Sequence, residues 1–330
     1  MVQILDKEVG PTGYGLMGLT WRSNPVSKEQ AFEAMREALR QGKTFWVGGE
    51  FYGPPEYNSN VLLEQYFEKY PEDADKVLLS IKGGWDVSKM QADGTPKGTR
   101  KTIDNCLRQL NGRKKIDIFE FARRDPNVDM AVTFDTIQKE YIDTGKVGGI
   151  ALSEVRAETI HNAVKVAKIV AVEVELSLFN TDPLHNGVAE ACAKYGIPLV
   201  AYSPIGAGFL TGQIKSYDDI PEDRFQKHMP RFQPGENFDS NIKLVYKVEE
   251  MARKKKCTPA QLAISWVRSL NGRPGMPQII PIPGATTVER VRENAQLVEL
   301  TQEDMAAIDE ILESFEPVGA RNHHAIPIET

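Results

Sequence analysis

Short apolar runs alternate with longer amphipathic stretches along most of the 330-residue chain. After a Gly-rich segment read as an opening strand (Gly10–Met17), Ser27 and Gln30 form a capping box for a helix. Ala31, Ala34, Met35, Ala38 and Leu39 recur at helical spacing as its apolar stripe, and Gly42 supplies the stop. The pattern then predicts strands at Phe45–Val47, Val77–Lys82, Ile116–Ala122, Val147–Ser153, Val170–Leu176, Leu199–Ser203 and Ile279–Ile282. Between them it predicts helices at Asn60–Tyr70, Thr99–Leu110, Met130–Asp143, Ala157–Ala167 and Gly187–Tyr195. A long insert near 204–240 precedes two more, at Ile242–Lys255 and Pro259–Leu270. The second of these opens with Thr258 as cap, Pro259 at the first helical position and Gln261 as capping-box partner.

Strand ends recur about every 31 residues between Val47 and Tyr202, the length of a βα unit. With about eight strands and no composition break at mid-chain, the pattern favours a (β/α)8 TIM barrel over a doubly wound sheet. Residues 1–330 read as one domain, with the long insert and a C-terminal loop as its departures from the repeat. Chemistry in such a barrel sits in the loops that follow each strand. This directs attention to Val47–Tyr52, Lys82–Trp85, Ala122–Asp125, Ser153, Glu154, Glu173–Glu175, Tyr202–Gly208 and Pro283–Arg290. Tyr52 and Lys82 stand out, because a lysine ending an apolar strand faces a crowded mouth where an idle charge is costly.

Composition narrows the function classes. The chain is 41% hydrophobic and 26% charged with a formal charge of −6, so it has no overall pull toward nucleic acid or an anionic membrane. Cys106, Cys192 and Cys257 lie far apart, which argues against a disulfide framework or structural zinc and for a reducing compartment. No apolar stretch approaches membrane-spanning length, and Met1–Gly10 has no signal-peptide core. The expectation is a cytoplasmic protein without a metal site. The glycines at Gly10, Gly13 and Gly15 lack a preceding strand and a following helix, so they are not read as a dinucleotide loop. The Lys254–Lys256 run ends a helix and reads as solvated charge.

Several motifs, in order along the chain, resemble the aldo-keto reductase superfamily from Gly10 to about Asn294. They are Gly48-Gly-Glu-Phe-Tyr-Gly53, Ser80-Ile-Lys-Gly-Gly84, Gly149-Ile-Ala-Leu-Ser-Glu154, and Ala201-Tyr-Ser-Pro-Ile-Gly206 running on to Gly212. The insert with Met229-Pro-Arg-Phe-Gln233 and the stretch Pro281–Arg290 followed by Glu293 and Asn294 complete the set. Gly15–Trp21, Phe45-Trp46, Tyr66–Pro71 and Ala122-Arg123 are similar to the pyridoxal reductase-like branch.

The resemblance implies carbonyl reduction by hydride transfer from NADPH, performed in the family with an Asp, Tyr, Lys and His tetrad. Tyr52 and Lys82 match the tyrosine and lysine, whereas Val47 and Ala122 stand at the aspartate and histidine positions. An ammonium near Tyr52 makes a sluggish phenolic acid more capable, and losing the aspartate leaves that ammonium less neutralised. Glu120, two residues before Ala122 and on the same side of the strand, is a candidate replacement carboxylate; the other reading pairs it elsewhere in the barrel. Without the donor lost at Ala122, the site suits an electrophilic substrate: an aldehyde on an electron-poor ring, or an iminium. For the cofactor, Tyr202 matches the residue that stacks on the nicotinamide, and Ser153 and Glu173 the carboxamide ligands, with Glu154 close by. Ser203, Ile205, Gly206 and Leu210 match the pyrophosphate loop, in which Ala207 replaces a frequent arginine and Lys215 is a possible substitute. Gly284, Arg290, Glu293 and Asn294 match the adenosine 2′-phosphate end, where a guanidinium favours NADPH over NADH. Bland readings stand beside these: Tyr202 as core, and Arg290 paired with Glu289 or Glu293.

Trp21, Trp85, Ala122 and Arg123 are the substrate-side candidates, with the tail Gly319–Thr330 and its His323 and His324 shaping the pocket. The leading expectation is an NADPH-dependent reductase of an activated aldehyde, a monomer or weak homo-oligomer acting on a small molecule. The alternatives are an imine or ketone reductase of a biosynthetic pathway, and a catalytically weak NADPH-binding regulatory subunit.

Overall fold

A computed structural model of the chain describes residues 2–222, 224–322 and 327–328; His323 and His324 lie outside the described residues. Eight parallel strands form one sheet in sequence order: β1 (Tyr14–Gly15), β2 (Phe45–Gly49), β3 (Leu78–Gly83), β4 (Ile116–Phe121), β5 (Val147–Ser153), β6 (Ile169–Glu175), β7 (Leu199–Tyr202) and β8 (Ile279–Pro281). The sheet curls until its ends meet. Gly15 bridges Gly284 in parallel, and the Gly13 N–H donates to the Pro281 carbonyl at 2.9 Å. The predicted (β/α)8 barrel is therefore the observed architecture.

Helices α1 (Lys28–Arg40), α2 (Ser59–Lys69), α3 (Pro96–Leu110), α4 (Met130–Ile137), α5 (Ala157–Ala163), α6 (Val188–Tyr195), α7 (Glu236–Lys255), α8 (Pro259–Ser269), α9 (Val288–Glu293) and α10 (Gln302–Glu313) accompany the strands. Several boundaries move from those expected, each for a local reason. The opening strand shrinks to Tyr14–Gly15 because Met17–Thr20 turns helical. Helix α3 starts three residues early, since Thr95 caps it through the Gly98 N–H and Pro96 takes the first position. Helix α4 ends at Ile137 and widens into a π turn over Gln138–Ile142. Helix α7 begins at Glu236, directly after Gly235 at φ +89°, so the long insert ends earlier than the apolar pattern suggested. Four short 3-10 turns fill that insert. Helix α10, capped by Thr301 and Asp304, was not anticipated.

The barrel interior is graded from floor to mouth. Its lower layers are apolar, with Phe45, Val47, Leu78, Ile118 and Val200 packed together. A hairpin of Val2–Ile4 with Lys7–Val9, turning through Leu5 and Asp6 at positive φ, closes the floor by adding Val2, Ile4 and Val9 to the same cluster. Toward the carboxyl ends of the strands the inward side chains become Lys82, Glu120, Ser153, Glu173 and Glu175, all buried. An apolar plug beneath a charged layer leaves the mouth as the place for polar chemistry.

Candidate active site

Strand pairing brings the central residues together. Gly49 of β2 lies beside Lys82 of β3, which in turn lies beside Glu120 of β4. Tyr52 follows β2 by three residues, and its ring folds back over Gly49. A Cβ at Gly49 would come within 2.9 Å of the Tyr52 ring, so only glycine leaves room there. Thr20 donates to the Tyr52 carbonyl at 2.5 Å and pins the loop.

Lys82 Nζ meets two carboxylates, Glu120 Oε1 at 3.0 Å and Glu173 Oε1 at 2.5 Å. Ser80 donates to Glu120 Oε1 at 3.2 Å. Glu120 thus stands beside Lys82 where the aspartate position, Val47, offers no charge. Glu173 comes from β6, and its contact with Lys82 crosses the barrel interior rather than following the sheet. Burial alone would strip the charge from Lys82, but Glu120 and Glu173 outweigh it and hold the ammonium well above its ordinary range. Burial lifts the Glu173 carboxyl to about 8, with Lys82 pulling it down and Glu120 pushing it up. Burial also lifts the Tyr52 phenol to about 12; Lys82 lowers it, while Glu173 and Glu120 raise it. This corrects the expectation of an under-neutralised lysine that leaves tyrosine more acidic. Two glutamates do the neutralising, and the resting phenol keeps its proton.

A second charged cluster occupies the same rim. Arg321, from the C-terminal tail, donates to Glu154 Oε2 at 2.8 Å, Glu154 Oε1 at 3.1 Å, Glu175 Oε2 at 3.3 Å and the Tyr202 hydroxyl at 3.1 Å. Arg231 of the insert stands 3.9 Å from Glu175 Oε1, and the Tyr202 hydroxyl donates to Glu154 Oε1 at 2.9 Å. Burial raises the Glu154 carboxyl, but the Arg321 guanidinium more than offsets this and leaves it below its ordinary range. Arg321 and Arg231 were missed in the sequence, where neither lies at the end of a strand.

The cofactor-side candidates fall into two groups. Ser153 is buried in register with Glu173, and its hydroxyl has no hydrogen-bond partner among the described residues. Tyr202, half-buried, closes β7 two positions above Val200. Beyond it Ser203, Gly206, Ala207 and Gly208 all take positive φ, giving a tightly wound loop whose Gly206 and Gly208 N–H groups bond back to the carbonyls of Ser203 at 2.8 Å and Ile205 at 3.0 Å. Ile205 is half-buried, whereas Leu210 sits in the core with its N–H bonded to Ile205 O at 3.1 Å, so it anchors the loop from below. Lys215 pairs with Glu249. At the far end Arg290 is exposed and donates to Gln213 Oε1 at 3.1 Å rather than to Glu289 or Glu293. Asn294 is buried, with Nδ2 3.5 Å from the Gly284 carbonyl, and Glu293 accepts at its carbonyl from Gln261. An orphaned serine hydroxyl, an aromatic face, a wound loop and an open guanidinium, in that order along the rim, fit a nicotinamide dinucleotide.

On the substrate side Trp21 stacks on Tyr52 with ring centroids 5.6 Å apart, and Phe51 meets both rings edge-on. Trp85 lies half-buried in a two-stranded hairpin with Gln91–Ala92, and Ala122 is buried just past β4. Arg123 donates to the carbonyls of Ala122 and Pro327, tying the tail to the rim. Among the described residues no cluster suited to a metal ion occurs, and no helix is long and apolar enough to cross a membrane.

Known proteins resemble this chain over nearly its whole length. The profile described as "Aldo/keto reductase family" matches residues 11–313. "Probable pyridoxal reductase 2" of Schizosaccharomyces pombe is 40% identical over 322 residues, covering 95% of each chain. Among solved structures, the glycerol dehydrogenase of Gluconobacter oxydans shares the fold with a TM-score of 0.81 at 20% identity, over 97% of both chains. A thermostable aldo-keto reductase solved with the inhibitor epalrestat gives a TM-score of 0.71 at 20% identity, over 94% of this chain and 98% of its own.

Proposed function

The chain belongs to the aldo/keto reductase family as a pyridoxal reductase-like oxidoreductase, and we propose that it reduces an activated aldehyde with NADPH, Tyr52 acting as the general acid. The observation that carries this reading is the buried Lys82 ammonium, held charged by Glu120 and Glu173 within electrostatic reach of the Tyr52 phenol. Bound NADPH supplies the hydride. Tyr52 gives its proton to the substrate oxygen as negative charge gathers there, and the Lys82 ammonium stabilises the phenolate left behind. Ser153 would offer a hydroxyl to the carboxamide, Tyr202 an aromatic face, the small residues of the Ser203–Gly208 loop a close backbone approach to the pyrophosphate, and Arg290 a guanidinium to the 2′-phosphate.

Val47 and Ala122 add neither charge nor donor, so the substrate must bring its own electrophilicity. Trp21 and Phe51 give the mouth an aromatic wall suited to a planar ring. An aldehyde on an electron-poor heteroaromatic ring, such as pyridoxal, meets both demands. The reading includes a small-molecule substrate and a cytoplasmic setting. NADPH oxidation measured with pyridoxal, benzaldehyde and a cyclic imine tests it: turnover should be fastest with pyridoxal, and Tyr52→Phe should cost about 10²–10⁴-fold. Tight NADPH binding without turnover on any of the three would replace it by the regulatory-subunit reading.

A further inference from the structure

The charges around Lys82 do not balance. Lys82, Glu120 and Glu173 are 4%, 1% and 3% exposed, one cation against two carboxylates. Glu173 lies within hydrogen-bonding reach of Glu120, and Glu120 Oε2 is buried without a donor among the described residues. Among the described residues the neighbours on each side add no second cation. From β3 come Lys82 and the neutral Ser80, from β5 the neutral Ser153, and from the loop after β2 the phenol of Tyr52. Arg123 acts on Tyr52 only from farther off and donates to the carbonyls of Ala122 and Pro327. Arg321 and Arg231 are committed to Glu154 and Glu175. Two ionised carboxylates so placed repel each other in a poorly solvated interior, and the usual resolution is that one keeps a proton.

We propose that Glu120 and Glu173 hold one proton between them, and that this retained proton makes Glu173 a positioning residue that sets how strongly Lys82 acts on Tyr52. With the proton in place, the three side chains sum to zero and the ammonium is free to stabilise a forming tyrosinate. Without it, the cluster carries a net negative charge that opposes ionisation of the phenol. The retained proton also supplies a donor to a carboxylate one of whose oxygens otherwise has none. It is not consumed: the O–H bond that breaks in turnover is that of Tyr52, the new one forms on the substrate oxygen, and the Glu120–Glu173 proton stays where it is. The raised carboxyl of Glu173 is in keeping with this arrangement.

The proposal rests on Tyr52 being the acid, so its test has one arm that needs no turnover. Infrared spectra of the full-length protein with NADPH, in H2O and D2O, should show a protonated-carboxyl stretch at pH 6. That band should fade with a midpoint near pH 8 and be missing from both Glu173→Gln and Glu120→Gln. The same bands in wild type and both variants would overturn the proposal. In the second arm, kcat for benzaldehyde reduction at saturating NADPH should fall above pH 8 in wild type. In Glu173→Gln, which cannot lose the proton, that descending limb should move up by at least one pH unit; Glu120→Gln gives the same readout if the first variant does not fold. An unmoved limb in the variants would sink the proposal. A band that behaves as expected in a protein that turns over no carbonyl would leave the shared proton standing and remove the reductase reading instead.

Discussion

Around Lys82 one ammonium meets two carboxylates, whereas elsewhere at the same mouth, in a cluster that shares only strand β6 with it, two guanidiniums, Arg321 and Arg231, meet Glu154 and Glu175. Both clusters are buried at the barrel mouth, yet they differ in balance and in origin. The Lys82 cluster is drawn entirely from inward positions of strands, has no spare cation, and leaves a carboxylate oxygen without a donor. The Arg321 cluster imports its cations from the tail and the insert, and Arg321 alone makes four hydrogen bonds. Compensated charge holds a shape, while uncompensated charge responds to protons. Proton chemistry therefore belongs to the first, and fastening of the tail to the second.

The largest expected effect comes from removing the lone cation. Lys82→Met should lower kcat for reduction by about 10²–10⁴-fold. It should also cost about 3–5 kcal/mol of stability in urea unfolding near pH 8, because the variant leaves both glutamates buried without their cation. Arg321→Ala should cost less, about 1–3 kcal/mol, because Arg231 remains and the freed tail lets water reach Glu154. Its kinetic signature should be a raised KM with kcat within a few-fold of wild type; a loss of kcat equal to that of Lys82→Met would erase the distinction between the clusters.

Stability against pH should separate Glu173 from Glu154 by sign, although within the second cluster burial also raises Glu175. Glu173 binds its proton more tightly folded than unfolded, so its contribution is full in acid and drains away as pH rises toward about 8. Glu154 is shifted the other way: its contribution is present above the ordinary carboxylate range and is lost as pH falls through its lowered folded value. Unfolding curves across pH should therefore flatten on the alkaline side in Glu173→Gln and on the acid side in Glu154→Gln. The smallest effect is a null one. In a double-mutant cycle, Glu120→Gln and Glu154→Gln should add to within about 0.5 kcal/mol if the clusters are separate; a larger coupling would join them into one network.

The two clusters were also unequally legible in the sequence. Alternation along β4 put Glu120 on the same side as Ala122, so a carboxylate near Lys82 was a local inference. Glu173 was visible as a residue but not as a partner of Lys82. Two strands separate β3 from β6 in the sheet, and whether side chains meet across the lumen depends on barrel closure and stagger, which leave no mark on either strand. The tail Gly319–Thr330 was expected at the pocket, but nothing in it singled out Arg321, since a tail has no period to place it. The same contrast applies to the fold. Strands with two-residue alternation and helices with marked caps were found close to their bounds. The floor hairpin, only three residues per strand, was too short for any pattern to declare itself.

The stack of Trp21 on Tyr52 carries a practical consequence. Trp46 and Trp266 are almost fully enclosed and Trp85 is half-buried, whereas Trp21 is 48% exposed with its ring against the acid. Its emission is thus the one most open to a collisional quencher such as acrylamide and most sensitive to an aromatic guest sliding into the mouth. Quenching of Trp21 fluorescence, compared with a Trp21→Phe control, gives an optical gauge of occupancy beside the reacting group that works before any bond is made or broken.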